Sequence, residues 1–364
     1  MEEPMSFEEL QEITSICLDE LIKLKEEKAQ LEAKVEQLSL NIAELTKGEQ
    51  TIIDKVCQNT EAILLDRKIV HRSLQNLRYE LHDPKTEKRE WYYPEFYEID
   101  ETIDAIIHER KSMARFGDGE FAIMSNVVRQ KFQHLDDRLA KRLVEVLHSH
   151  EDNLLIGIAD NYGNLDHYNE GGRNGIRYYM TEEVRKEHSK YIEKGRKYHN
   201  AYISRPYALF EDNTTDAPAK RFAALRKIWD GKDVIFVEGS LTGLGVGNDL
   251  FDNAKSIKRI EVPAENSFDK YDEILKAALK YGDKDSLFMI AMGPSAGVLA
   301  YDLCLEGYQA LDIGHMDLEY EWYLQGNGGR AQVSNKYNNE YPGGDVVEPI
   351  TDPKYLSQII CKIE

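Results

Sequence analysis

The feature that most constrains the fold is a regular alternation of apolar segments with amphipathic ones from residue 99 onward. Continuous apolar runs at residues 233–237 and 286–291 are typical of strands buried on both faces of a parallel sheet. Residues 135–148 and 271–279 carry apolar side chains at helical spacing. Strands that alternate with helices in this way predict an open, mostly parallel α/β sheet.

The same pattern recurs in shorter segments along this part of the chain. Polar and glycine residues gather after the apolar runs, and open α/β sheets bind ligands at the carboxyl edge of their strands. Further strands are predicted at residues 113–116, 153–159, 201–207, 256–262 and 310–313, and further helices at 99–111, 174–195, 220–229 and 292–305.

The first 80 residues carry a different pattern, a heptad repeat. Leucines recur every seven residues from Leu24 to Leu45, with Val35 and Ile42 at the other core position. Leucine at d with β-branched residues at a favours a parallel two-stranded coiled coil, so a homo-oligomer through residues 6–47 is expected. A long helix packed on its own globular domain is the alternative. Gly48 is expected to interrupt this helix.

These patterns together predict three regions. Residues 1–80 form a helical coiled-coil oligomerisation region that resumes after Gly48 with weaker periodicity. An aromatic and charged linker at residues 81–98 follows, because Pro84 disfavours helix in the residue before it. Residues 99–364 form the α/β domain.

Charge and composition limit the partners. The chain has 66 acidic and 46 basic side chains, a net charge of −20, which argues against nucleic acid or an anionic membrane as the main partner. No apolar run approaches the ~18 residues of a membrane span. The N-terminus lacks the apolar segment of a signal peptide, and the four cysteines have no metal-ligand spacing. A cytoplasmic protein is therefore expected.

Two carboxylates bracketed by glycines follow the predicted strand 113–116. Asp118 and Glu120 are two residues apart, and in an extended turn such side chains point the same way. Hard oxygen donors of this kind suit Mg²⁺ or Mn²⁺ with open positions for phosphates, and Arg115 adds a positive charge. Gly117 lets the backbone bend and a ligand approach. The alternative is a plain turn, which glycine and aspartate favour.

Two other segments carry candidate site residues. Glycines between Gly239 and Gly247 follow the strand 233–237 and allow backbone N–H groups to surround a phosphate, although the loop matches neither the dinucleotide nor the Walker fingerprint. His315, Asp317 and Glu319 alternate after the last clear strand and are candidates for a general base. A structural role for these polar residues is the alternative.

From Arg115 onward the chain resembles the GT-D type glycosyltransferase family, formerly a domain of unknown function, over about residues 100–364. The resemblance implies a Rossmann-like sheet with helices on both faces, a nucleotide-sugar donor and an Asp-X-Glu metal motif. The segments that carry it are residues 115–120, 204–207, 237–239, 244–250, 256–260, 293–294, 299–302 and 312–322.

The resemblance places Mn²⁺ or Mg²⁺ on Asp118 and Glu120. It implies a UDP-hexose donor, with UDP-glucose the best expectation, and a glycan or glycoprotein acceptor in bacterial surface glycan synthesis. Members of the family commonly carry a basic residue where this chain has Gly243, so no side-chain phosphate contact is expected there. The expected donor-binding residues are Arg115, Gly117, Arg205, Glu238, Gly239, Gly245, Asn248 and Asp249, and the expected catalytic residues are Asp317, Glu319 and His315.

Two other functions are compatible with the same residues. An S-adenosylmethionine-dependent transferase with a Rossmann-like fold would use Glu238 and the glycines after it to hold its cofactor. An inactive scaffold would use only the oligomerising helix.

Overall fold

The computed structural model describes residues 7–80, 93–127, 132–333, 335–338, 340–344 and 346–364. The chain divides into two compact units, Met1–Val70 and His71–Glu364. None of the helices in these ranges has the length and apolar character that crossing a bilayer requires.

The first unit consists of the greater part of one helix, α1, which spans Phe7–Glu80 without a break. The predicted interruption at Gly48 is therefore wrong. One glycine costs a helix only about 1 kcal/mol relative to alanine, which so long a helix accommodates. The heptad leucines Leu24, Leu31, Leu38 and Leu45 are 59–71% exposed in the single chain.

Because α1 is continuous, the heptad phase carries past Gly48. Val56, Ile63 and Val70 recur every seven residues in phase with Ile42, and all are exposed. The matching d positions are polar, at Asn59 and Asp66. The apolar stripe thus continues at only one of the two core positions of a coiled coil.

Among the described residues of the second unit, nine strands form one sheet in which every pairing is parallel. This confirms the α/β class. The spatial order is β1-β4-β3-β2-β8-β7-β5-β6-β9. The strands are β1 (Glu95–Phe96), β2 (Ser112–Phe116), β3 (Leu154–Ile158), β4 (Lys197–Asn200), β5 (Asp233–Gly239), β6 (Ser256–Val262), β7 (Leu287–Ala291), β8 (Gln309–Asp312) and β9 (Ile359–Lys362).

Helices cover both faces of this sheet. On β5, Ile235 and Val237 belong to one apolar core, whereas Val234 and Phe236 belong to another. This alternation is that of a strand buried on both sides. The helices are α2 (Ile99–His108), α3 (Asp118–Met124), α4 (Asp137–Leu147), α5 (Glu170–Tyr179), α6 (Glu182–Tyr191), α7 (Ala217–Arg226), α8 (Tyr271–Tyr281), α9 (Ala296–Leu305), α10 (Met316–Gln325) and α11 (Pro353–Gln358).

Two predicted elements differ from the structure. The strand expected at residues 201–207 is β4, which ends at Asn200 and is followed by the 3₁₀ turn Ala201–Ser204. The Asn200 side chain accepts a hydrogen bond from the Tyr202 N–H and so caps this turn. The single helix expected at residues 174–195 is two helices, because the Thr181 hydroxyl accepts from the Val184 N–H and begins α6.

The last turns of α1 pack within the second unit. The Arg177 guanidinium donates two 2.7 Å hydrogen bonds to the Glu80 carboxylate. The buried Asn76 accepts from Arg185 at 2.6 Å and donates to the Arg177 carbonyl at 3.1 Å. Residues 81–92 of the predicted linker lie outside the described residues, and Glu95–Phe96 pairs with β4.

The order of the strands creates a crevice at the centre of the sheet. The chain winds from β2 through β3 to β4 in one direction, and β8, β7, β5 and β6 lie on the other side of β2. Such a reversal leaves room at the carboxyl ends of the two central strands, here β2 and β8, for a ligand.

Candidate functional site

A cleft of about 950 Å³ opens at this reversal. Loops that follow strands line it, and they carry residues that the sequence places far apart. Asp118 follows β2, Asn161 follows β3, Arg205 follows β4, Thr242 follows β5, Pro294 follows β7 and His315 follows β8.

The Asp118 and Glu120 carboxylates lie on the first turn of α3, and the extended turn predicted for them is wrong. The Glu120 Oε2 atom accepts a hydrogen bond from the Gly117 N–H at 2.7 Å, which satisfies a donor at the start of the helix. Residues two apart on a helix diverge by about 200°. Both carboxylates still line the cleft, Asp118 exposed and Glu120 half-buried.

Arg115 is held at the end of β2 by the neighbouring strand. Its Nη2 pairs with the Asp312 Oδ1 at 2.5 Å, and its Nε donates to the Asp312 carbonyl at 2.7 Å. A Cβ at Gly314 would overlap the guanidinium, so this pairing requires glycine there. Burial raises the pKa of the Asp312 carboxyl, and the Arg115 charge opposes that rise.

The Asp118 and Glu120 carboxylates fit a divalent cation that also binds the phosphates of a substrate. Burial raises the pKa of Glu120 to about 7, and the Asp312 charge adds to the rise, so a nearby cation would relieve unfavourable charge. Among the described residues no group of three or more His, Cys, Asp or Glu is arranged to hold a metal. Mg²⁺ and Mn²⁺ commonly take one or two carboxylates and complete their coordination with water and substrate phosphates.

Arg205 and Arg330 face the cleft and share the carboxylate of Glu340, and His315 lies beside them. Arg205 binds Glu340 through both Nη atoms, with Nη1 at 3.0 Å from Oε2, and Arg330 Nε lies 3.1 Å from the same oxygen. Burial alone would raise the pKa of Glu340, but Arg205, His315 and Arg330 hold it well below its usual range. Burial lowers the pKa of His315 to about 4, so its ring is neutral at pH 7.

The three predicted catalytic residues, at the start of α10, lie in different environments. His315 lines the cleft, and its Nδ1 lies 2.7 Å from the Arg205 Nη2. Asp317 borders the cleft but is buried, and Lys336 Nζ donates to its Oδ2 at 2.5 Å. Glu319 is fully buried outside the cleft lining, where its Oε2 accepts from the Tyr207 and Ala208 N–H groups.

The glycine loop after β5 supports the cleft more than it lines it. Glu238 is fully buried, pairs with Arg259 and accepts from the Leu244 N–H at 2.7 Å. The Gly245 N–H donates to Asp317 at 2.9 Å and is thereby occupied. Gly243 has a φ of +60°, and a Cβ there would lie 2.8 Å from the Ile350 side chain, so a larger residue would be strained and would displace Ile350.

The remaining predicted donor-binding residues lie away from the cleft lining. Asn248 donates to Asp317 at 2.9 Å, and Asp249 accepts from the Tyr320 hydroxyl at 2.7 Å. Gly239 packs against Ala264 at the end of β5. Because Glu238 is closed off by Arg259, it cannot bind a cofactor ribose, and this argues against the S-adenosylmethionine alternative.

The opposite wall comes from α5 and the 3₁₀ turn. The Gly172 and Gly175 positions of α5 line the cleft beside Tyr202. The Tyr202 hydroxyl donates to the Asn161 Oδ1 at 2.6 Å. Sequence reasoning missed this wall and also Gln133, Asp312, Arg330, Lys336 and Glu340, because spacing within one segment gives no signal for partners in another.

The comparisons with known proteins agree with this geometry. The model of the glycosyltransferase GT-D fold family matches residues 113–341. This chain belongs to that GT-D family. The matched range includes Asp118, Arg205, His315 and Glu340. The part of α1 that belongs to the first unit lies outside this range.

Two curated streptococcal proteins are similar to this GT-D chain. A probable glycosyl transferase Gly of Streptococcus gordonii is 36% identical over 268 residues, which are 73% of this chain and 38% of that protein. Glycosyltransferase GlyD of Streptococcus pneumoniae serotype 4 is 35% identical over 271 residues, which are 73% of this chain and 32% of that protein. The chain thus spans only 32–38% of the length of these relatives.

Solved structures show the same fold over nearly their whole length. One, described as a distinct glycosyltransferase fold of domain of unknown function 1792, is 36% identical, with a TM-score of 0.68 over 74% of this chain and 96% of that one. A glycosyltransferase of the same domain type from Streptococcus sanguinis is 34% identical, with a TM-score of 0.70 over 75% of this chain and 100% of that one.

Proposed function

We propose that this chain is a metal-dependent glycosyltransferase that transfers a hexose, best expected to be glucose, from a UDP-sugar to a glycan or glycoprotein acceptor. One observation carries the proposal: carboxylates of the Asp-X-Glu motif, Asp118 and Glu120, line the same cleft as Arg115, Arg205 and Arg330. The streptococcal relatives are named as glycosyltransferases, and we extend the proposal to bacterial surface glycan synthesis, as the family resemblance implies.

The donor diphosphate fits the charged part of the cleft. Asp118 and Glu120 would hold Mn²⁺ or Mg²⁺, which supplies charge stabilisation for a departing diphosphate when it is bound. Arg115, Arg205 and Arg330 direct further positive charge into the same volume. A chain with a net charge of −20 needs such a local concentration of donors to bind a polyphosphate.

The acceptor side of the reaction depends on a group that can accept a proton. An inverting transfer requires a general base near the acceptor hydroxyl. His315 Nδ1 faces the Arg205 guanidinium, which can only donate, so the neutral ring uses that nitrogen as an acceptor and positions Arg205. Among the three expected catalytic residues, Asp317 is the carboxylate that borders the cleft, and we propose it as the base.

Self-association through α1 is part of the proposal. The heptad leucines are exposed on the single chain, and burying such a stripe against a second copy removes apolar surface from water. A homodimer would place two catalytic units on one coiled coil. This assembly suits an enzyme that acts on a repeated or extended acceptor.

A donor screen tests the proposed function. Purified full-length protein is incubated with UDP-, GDP-, ADP- and CDP-hexoses, with Mn²⁺ or with EDTA, and released nucleoside diphosphate is measured. We expect release from UDP-glucose that requires Mn²⁺ or Mg²⁺. Equal release in EDTA would refute the metal role, and a folded protein that turns over no nucleotide-sugar would support the inactive scaffold.

A further inference from the structure

One buried donor in the cleft wall has no partner within the part of the chain that the structure describes. Gln133 is 5% exposed and lines the cleft. Its Oε1 accepts a hydrogen bond from the Phe268 N–H at 3.1 Å, which fixes the orientation of the amide. Its Nε2 is buried and has no hydrogen-bond partner among the described residues. An unpaired buried donor is unfavourable, so a ligand that supplies an acceptor here gains affinity.

The neighbouring residue has a strained backbone. Phe132 has a φ of +45°, a region that bulky side chains rarely adopt and that is concentrated at functional sites. A Cβ at Gly293 would lie 3.2 Å from the Phe132 Cβ, so glycine there admits the aromatic residue. The Phe132 ring lies 5.4 Å from the Tyr337 ring and 5.8 Å from the His315 ring, between centroids. All three rings line the cleft.

This pair lies against the loops that follow β6 and β7, because the Asn266 N–H donates to the Phe132 carbonyl at 2.6 Å and Gly293 borders the Phe132 side chain. The loops that follow β5, β6 and β7 supply the apolar residues Leu244, Ala264 and Met292 to the same cleft. The arginines and carboxylates come from the loops after β2, β4 and β8 and from residues 330–340. A ligand that spans both parts would have a flat apolar ring at one end and phosphates at the other.

We propose that Phe132 and Gln133 form the nucleobase subsite of the donor, in which the Gln133 Nε2 donates to a carbonyl oxygen of uracil while the Phe132 ring contacts the face of the base. This inference rests on the proposed function, because it assigns one end of the donor cleft. Uracil offers two carbonyl oxygens to this amide, whereas adenine offers only ring nitrogens on a larger bicyclic base, so the subsite favours UDP over ADP.

Two substitutions at Gln133 separate base recognition from folding. Gln133→Met keeps the length of the side chain and removes the amide. Gln133→Glu keeps an oxygen for the Phe268 N–H but presents no donor to the base. A matched control is Gln309→Met, because Gln309 is also buried but its amide donates to the Ile106 carbonyl, and it does not line the cleft.

Titration calorimetry with UDP, ADP and inorganic pyrophosphate in the presence of Mn²⁺ gives the readout. Loss of one hydrogen bond predicts that Gln133→Met weakens UDP binding about tenfold, or 1.4 kcal/mol, and leaves pyrophosphate binding within twofold. The preference for UDP over ADP falls by the same factor. Gln133→Glu lowers UDP affinity relative to pyrophosphate, and Gln309→Met changes neither ligand.

Two results would overturn the subsite while leaving the donor assignment intact. These are unchanged UDP binding by the Gln133 variants, and equal losses for UDP and pyrophosphate in folded protein. A wild-type protein that binds neither UDP nor pyrophosphate would instead overturn the proposed function, and the subsite with it.

Discussion

Arg205 and Glu340 form a two-point ion pair across 135 residues of the chain, and both side chains line the cleft. Arg330 contacts the same carboxylate at 3.1 Å. Glu340 therefore neutralises positive charge that a bound phosphate would otherwise meet. The proposed donor site thus contains an internal anion that competes with its ligand.

This relationship predicts that Glu340→Gln binds pyrophosphate more tightly than wild type, by at least about fivefold at low salt. The gain in affinity should be smaller in 500 mM salt, because dissolved ions screen the interaction between charges that solvent reaches. Calorimetry at two salt concentrations measures it. Asp272→Asn is the matched control, since it removes a carboxylate from the exposed pair with Arg138. Unchanged or weaker binding by Glu340→Gln would contradict the competition.

The metal assignment predicts that Asp118→Asn and Glu120→Gln each lower donor turnover at least ~10²-fold, or about 2.7 kcal/mol in the activation barrier. Folding should persist, because Asp118 is exposed and a glutamine at 120 can still accept from the Gly117 N–H. Melting temperatures and Mn²⁺ titrations of turnover check both points. Asp137→Asn is the control, since Asp137 is an exposed first residue of another helix.

The two buried carboxylates of α10 predict contrasting variants. Asp317→Asn should lose transfer ~10²–10⁴-fold while UDP binding stays nearly unchanged, as expected for a general base that borders the cleft. Glu319→Leu should retain transfer but lose roughly 1–3 kcal/mol of stability, because the buried Tyr207 and Ala208 N–H groups lose their acceptor. Transfer assays, UDP calorimetry and denaturant melts separate these outcomes. Wild-type transfer by Asp317→Asn would place the base elsewhere.

The heptad register predicts which leucines hold the dimer. Leu38 and Leu40 are 59% and 58% exposed in the single chain, but only Leu38 occupies a d position. Leu38→Lys combined with Leu31→Lys should yield a monomer by light scattering, whereas Leu40→Lys should not change the mass. A monomeric wild-type protein, or equal effects of both changes, would show that the stripe does not mediate self-association.

The burial of His199 predicts that the second unit loses part of its folding stability in acid. Burial lowers the pKa of His199 to about 4, below the unfolded value near 6.5. Between these values the unfolded chain binds more protons, so stability is lost as the pH falls from 6.5 to 4, by roughly 2–4 kcal/mol. Denaturant melts at pH 7.5 and 4.5 should show a smaller pH effect in His199→Gln. His150→Gln is the control, because His150 is exposed; an equal pH effect in wild type and His199→Gln would exclude this origin.

Much of the fold follows from patterns within single segments of the sequence. The apolar runs at residues 233–237 and 286–291 predict β5 and β7, because a strand covered on both faces must be apolar throughout. The α/β class and the helical character of residues 7–47 follow in the same way. The Asp118 motif and the 314–322 segment also point to the correct edge of the sheet, since both follow strands.

Only the tertiary structure decides which of those residues meet. Arg115 reaches Asp312 across 197 residues, and Lys336 becomes a buried partner of Asp317 although nothing in its neighbourhood is periodic. The strand order that makes β2 and β8 neighbours depends on packing of both apolar cores at once. The spacing of residues within a segment determines which face of a helix or strand each side chain occupies. The partner of a buried charge comes instead from a distant segment, and the pairing offsets the cost of removing that charge from water.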